Sequence, residues 1–106
     1  MPRLSQIGSH RTAVKDSPDS RTVQYHDTVV VEVRGPRVIL RTDGWLTTTT
    51  KARMNQAAQQ WGLGFQVSAH QGQWSVTCGP DPKQIHPFQG PAICFNWQTG
   101  QLLSVR

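Results

Sequence analysis

The stretch Thr42–Gly62 reads T-D-G-W-L-T-T-T-T-K-A-R-M-N-Q-A-A-Q-Q-W-G, and its reading decides the fold. Met54, Ala57, Ala58 and Trp61 recur at i, i+3, i+4 and i+7, which is one apolar stripe on a helix. Asp43-Gly44 supplies turn chemistry just before it, and four threonines, Thr47 to Thr50, are available as caps. The pattern places the cap at Thr48 or Thr49, where a hydroxyl accepting a first-turn N–H is worth roughly 1 kcal/mol over alanine. Gly62 is a suitable residue past the end, because glycine enters the left-handed conformation without a Cβ penalty. A helix of about three turns does not stand alone in water, so the stripe must dock on the flanking strands. The opposite face carries Lys51, Arg53, Asn55, Gln56, Gln59 and Gln60 and no carboxylate. Such a face is either plain solvated surface or a set of donors for phosphates, bases or a partner's backbone.

The flanking segments alternate as strands do. In Val23–Arg34, Val29, Val31 and Val33 share one face, against Val30, Glu32 and Arg34. Arg34-Gly35-Pro36-Arg37 turns, and Val38–Thr42 returns with Val38 and Leu40 opposed to Ile39 and Arg41. This hairpin carries Arg34, Arg37 and Arg41, which either form a positive edge or protect an edge strand from aggregation. Beyond the helix, Phe65, Val67 and Ala69 alternate with Gln66, Ser68 and His70. Gln71-Gly72 turns, and Trp74, Val76 and Cys78 return as a second hairpin. Pro87 restricts the short extended piece Ile85–Phe88 to an edge. Ala92–Trp97 and Gln101–Val105 close a last hairpin. The reading is an α+β domain over residues 22–106, with one central helix on an antiparallel sheet of two to three hairpins. It is preceded by a flexible arm, residues 1–21, that is rich in Ser, Asp, Arg and His.

The net charge is +5, and Glu32 is the only glutamate. From residue 32 onward the acids are Glu32, Asp43 and Asp81 alone, so the basic excess lies in the folded part. Basic domains favour polyanions. No run approaches the length needed to cross a bilayer, and the first residues have no apolar signal region. The expectation is a protein of the cytoplasm with its two cysteines, Cys78 and Cys94, reduced and buried.

No nucleophile elbow, phosphate loop, H-E-x-x-H or paired C-x-x-C occurs. His70, Cys78, His86 and Cys94 are spaced eight apart. Structural zinc sites use close ligand pairs instead, and the alternation turns His70 away from Cys78, so no metal and no cofactor are expected. Most aromatics alternate in phase with the core. Trp45, between a turn and a cap, is the candidate exposed aromatic.

The run Gly44-Trp45-Leu46-Thr47-Thr48-Thr49-Thr50-Lys51-Ala52-Arg53-Met54-Asn55-Gln56, followed by Gly62-Leu63-Gly64-Phe65, Gln71-Gly72-Gln73-Trp74 and Pro87-Phe88, resembles a segment of small uncharacterised phage and mobile-element proteins. The resemblance covers about Val29 to Phe88. It implies a source and no activity. By analogy with cargo of that kind, the expected function is a non-enzymatic accessory protein that binds nucleic acid or a host nucleoprotein, in the manner of an anti-CRISPR inhibitor of host defence. The expected contact residues are Arg34, Arg37, Arg41, Trp45, Lys51, Arg53, Asn55, Gln56 and Gln59. The alternatives are a protein–protein module or virion accessory, and a small metal-free ribonuclease-like enzyme.

Overall fold

A computed structural model describes residues 12–44 and 46–105. Nine strands and one helix follow in the order β1 (Thr12–Asp16), β2 (Arg21–Tyr25), β3 (Thr28–Arg34), β4 (Arg37–Arg41), α1 (Thr48–Gln60), β5 (Gln66–His70), β6 (Gln73–Cys78), β7 (Gln84–Pro87), β8 (Ala92–Asn96) and β9 (Leu102–Val105). They form a six-stranded sheet, β1-β2-β3-β4-β8-β9, and a three-stranded sheet, β5-β6-β7. Every pairing is antiparallel. Since β4 and β8 are neighbours, the helix and the small sheet are a single excursion between them. The fold is α+β with one helix, as expected, but the sheet system is larger than two to three hairpins.

Three sequence expectations change. Residues 12–21, assigned above to a flexible arm, form β1, the turn and the first residue of β2; residues 1–11 lie outside the described residues. The single strand Val23–Arg34 is two strands joined at His26-Asp27, where His26 takes φ 55°. A bulge where Val23 and Gln24 face Val31 and Val29 then shifts the alternation. It brings Val30 (2% exposed) into the core and turns Val29 to the outer face beside Glu32.

The helix cap is Thr47, not Thr48 or Thr49. Its backbone is extended (φ −109°, ψ 158°) and its hydroxyl accepts from Thr50 N–H at 3.2 Å. The C-terminus is a Schellman arrangement: Leu63 N–H donates to Ala58 O (2.9 Å) and Gly62 N–H to Gln59 O (3.4 Å), with Gly62 at φ 65°. Met54, Ala57 and Ala58 are buried as the stripe requires, and Trp61 packs half-buried at the cap.

The core lies between the inner face of the large sheet, the helix and the small sheet. Val23, Val31, Val38, Leu40, Ile93 and Phe95 come from the large sheet, and Val67, Trp74 and Val76 from the small one. Phe65 meets Phe95 edge-to-face at 5.5 Å, which joins the two sheets. Each such side chain taken from water contributes about 1.5–3 kcal/mol.

The sheets also meet backbone to backbone. A Cβ on Gly79 would lie 2.7 Å from Gly100 Cα, and Gly79 holds φ 91°. Gly79→Ala therefore combines a clash with a disfavoured dihedral and should cost roughly 2 kcal/mol or more. A thermal melt should show the midpoint lowered by about 10 °C, whereas an unchanged midpoint would mean that the seam opens without cost.

Candidate functional site

The register sorts the charged side chains by face. Across the large sheet, Lys15, Thr22, Glu32, Ile39, Cys94 and Ser104 stand in one row, opposite one another strand by strand. Glu32 is on the side away from the helix, so this row belongs to the outer face. Arg34 and Arg37 face each other in the next row, beside Asn96, and Arg41 lies two residues along from Ile39. Lys15, Arg34, Arg37 and Arg41 thus share one face that no element of the described fold covers.

Glu32 organises that face. It accepts from Arg34 Nε at 2.6 Å and from Arg41 Nη1 at 3.0 Å. Burial raises its pKa, but the two arginine hydrogen bonds and charges outweigh this and hold the carboxyl below its ordinary 4.5. Each guanidinium still has unused donors in its fork. Arg37 is exposed and makes no ion pair within the described residues.

The helix face behaves differently from expectation. Arg53 is only 9% exposed. Its Nε donates to Thr12 Oγ1 (2.9 Å) and its Nη1 to Gln56 Oε1 (3.1 Å), with the guanidinium 5.8 Å from the Tyr25 ring centre. Asn55 is engaged too: Nδ2 donates to Val67 O (2.9 Å) and Oδ1 accepts from Val67 N–H (2.7 Å). Asn55 therefore pairs with the outer edge of β5 as another strand would. Arg53 and Asn55 bind the helix to the two sheets, Gln56 accepts from Arg53 within the helix, and none of the three forms a surface with the hairpin arginines. Gln59 is exposed and Lys51 half-buried on the helix, away from the outer sheet face. Trp45 lies outside the described residues.

His70, Cys78, His86 and Cys94 do not converge. Cys78 Sγ (3.6 Å) and His86 Nε2 (2.8 Å) both meet Gly100 O, so Nε2 carries a proton there. His70 ends β5 at the far turn, and Cys94 is on the outer face of the other sheet. Burial raises both thiol pKa values, with Lys83 opposing it for Cys78 and Arg37 for Cys94, so neither is an activated thiolate.

The sequence reading missed a cleft of about 650 Å³ at one end of the fold. The β1–β2 turn (Ser17–Ser20), the β3–β4 turn (Gly35-Pro36) and the half-buried Trp61 and Trp97 frame it. Arg21 sits 5.7 Å over the Trp61 ring and pairs with Asp16 at 3.2 Å. Trp97 is pinned to the turn: its N–H donates to Pro36 O and its Nε1–H to Gly35 O, both at 2.9 Å. The available signal was position. Both tryptophans end an element next to a turn, where a large ring is only partly covered.

The model of the Kyanoviridae Gp96 protein family matches residues 3–100. The chain belongs to this family. It is therefore a phage protein, as the Gly44–Gln56 segment suggested, and the family match extends well beyond Val29 to Phe88 at both ends. The family description carries no activity. No curated protein and no solved structure matches the chain. Among the described residues, no helix is long and apolar enough to cross a membrane.

Two outcomes test this geometry. Asn55→Ala leaves the Val67 N–H and C=O unpaired and should cost about 1–3 kcal/mol in a denaturant titration, whereas Gln59→Ala should stay within about 0.5 kcal/mol of the parent. The depressed Glu32 pKa contributes stability that is present above about pH 4.5 and is lost as pH falls through the lower folded value. A Glu32→Gln chain should therefore lose less stability than the parent on acidification, and parallel pH profiles would remove the linkage.

Proposed function

We propose that this phage protein is a non-enzymatic binding protein that holds nucleic acid, free or within a host nucleoprotein, on the outer face of its six-stranded sheet. One observation carries the reading. Lys15, Arg34, Arg37 and Arg41 share an uncovered face, and among the described strand residues Glu32 is the one carboxylate that stands on it, Asp16 of β1 belonging to the opposite face with Arg21 and Val33. Four cations and one glutamate leave the face a net +3, and the glutamate holds two of the guanidinium groups at fixed positions. Phosphates spaced along a strand suit such an array, because arginine matches them with paired donors. The helix residues proposed from sequence drop out of the contact set, except that Lys51 and Gln59 remain outlying surface groups.

A phage protein that engages nucleic acid or a nucleoprotein in the host cytoplasm suits the inhibition of a host defence complex, of which a CRISPR effector is one kind. A second reading has its own support. Ile85, on the edge strand β7, is 68% exposed, and Val14 and Leu103 are exposed on the edge strands β1 and β9. Such edges suit strand addition by a protein partner.

Anisotropy titration with labelled DNA and RNA discriminates the two. The affinity should fall linearly on a log–log salt plot, with a slope of about −3 for three to four phosphate contacts. Arg37→Ser and Arg41→Ser should each reduce the slope by about 1, and Lys51→Ser should leave it unchanged. In a host carrying the targeted defence, the Arg37→Ser chain should protect phage less well than the parent. Absence of binding to any nucleic acid at low salt would leave the protein partner as the better reading.

A further inference from the structure

We infer that the tryptophan cleft receives an unstacked base of a single-stranded nucleic acid whose phosphates lie on Arg34 and Arg37. This rests on the reading of the outer face as a polyanion surface, and it narrows the partner from nucleic acid in general to a single strand.

The connection is the β3–β4 turn. Arg34, Gly35, Pro36 and Arg37 are consecutive; the two arginines stand on the outer face and the two turn residues line the cleft. A strand that crosses the end of the sheet at this two-residue turn meets cations on one side and indoles on the other. A nucleotide has the same polarity, with its phosphate and base on opposite sides of the sugar.

The interior of the cleft suits a base and not a phosphate. It holds Asp16 and Asp19 against the single cation Arg21, which is already paired with Asp16. Asp19 makes no ion pair within the described residues. A carboxylate repels phosphate but accepts hydrogen bonds from the exocyclic amino groups of cytosine, adenine or guanine. The partly exposed Trp97 indole supplies stacking surface, which every base can use, and the Arg21 guanidinium held over Trp61 offers a second plane on which a base can stack. Trp97 is fixed by its two hydrogen bonds to the turn, and Trp61 carries Arg21 over its ring, so little side-chain freedom is lost on binding. The volume, about 650 Å³, is in the range of small-ligand clefts. A base stacked inside a duplex cannot reach it, whereas a single strand offers its bases freely.

Labelled oligo(rC), oligo(rA), oligo(rU) and a duplex of equal length, titrated at physiological salt, test the inference. Single strands should bind about tenfold more tightly than the duplex and quench tryptophan emission. The cytosine and adenine strands should exceed the uridine strand severalfold. Asp19→Asn should abolish that base preference and leave the salt slope unchanged. Trp97→Leu should bring single-strand affinity down to the duplex level; if its melting point shows that it misfolds, the Asp19→Asn result decides. Equal single-strand and duplex affinities, with unmoved tryptophan emission and the salt slope intact, would overturn the base site while the outer face stands. The base site also falls if an arginine-bearing proline-rich peptide quenches tryptophan emission and the oligonucleotides do not. No binding to any nucleic acid would overturn both readings.

Discussion

Two neighbouring polar side chains on one helix hold the architecture together. A 13-residue helix has little stability of its own in water, and this one is gripped from two directions. Arg53 reaches Thr12 on the first strand of the large sheet, while Asn55 completes the open edge of the small sheet at Val67. Between them Met54, Ala57 and Ala58 are sealed from solvent. The excursion between β4 and β8 can therefore fold back over the inner face and leave the outer face bare. The exposure of the outer-face arginines follows from that asymmetry.

The hairpins with conventional punctuation were legible in the sequence. Gly35-Pro36 and Gln71-Gly72 mark their turns, and the alternation of Val38–Arg41 and Trp74–Cys78 places the right residues inside. The turn at His26-Asp27 was not legible, because neither residue announces a left-handed dihedral as glycine does. Nor was the bulge that exchanges Val29 for Val30, since four consecutive branched or acidic strand formers, Val29 to Glu32, fit either phase. β1 was hidden by composition. A short edge strand with four exposed residues, Ala13 to Asp16, reads as polar linker, and only its pairing with β2 makes it a strand. The polar helix face misled for a related reason: Arg53 and Asn55 look like surface donors until the backbone and hydroxyl acceptors facing them are known.

Net charge proved a poor guide to location. Several of the cations behind the +5 are committed within the fold. Arg53 is buried under the Tyr25 ring, and Arg21 is shared between Asp16 and Trp61. Lys83 donates to the carbonyls of Gly64 and Gly79. What distinguishes the outer face is that its cations stay partly or largely exposed. Arg34 keeps 61% of its side-chain surface exposed even while paired with Glu32. A shared carboxylate of this sort costs some net charge but fixes two long side chains, so less ordering is left for a ligand to impose.

The run from Gly44 to Gln56, the longest single piece of the resemblance, contains none of the outer-face arginines and none of the cleft residues. The family match, residues 3–100, contains all of them. The cleft draws on the β1–β2 turn, the β3–β4 turn, the helix end and the start of the β8–β9 connection, four places that only the complete strand order brings together. The conspicuous helix segment is then best understood as the clamp that closes the fold. The surface it makes possible is assembled from short turns that carry little signal individually. Because Gly35 and Pro36 are all that separates the outer arginines from the indoles, a change in the length of that one turn would uncouple the two surfaces without disturbing the core.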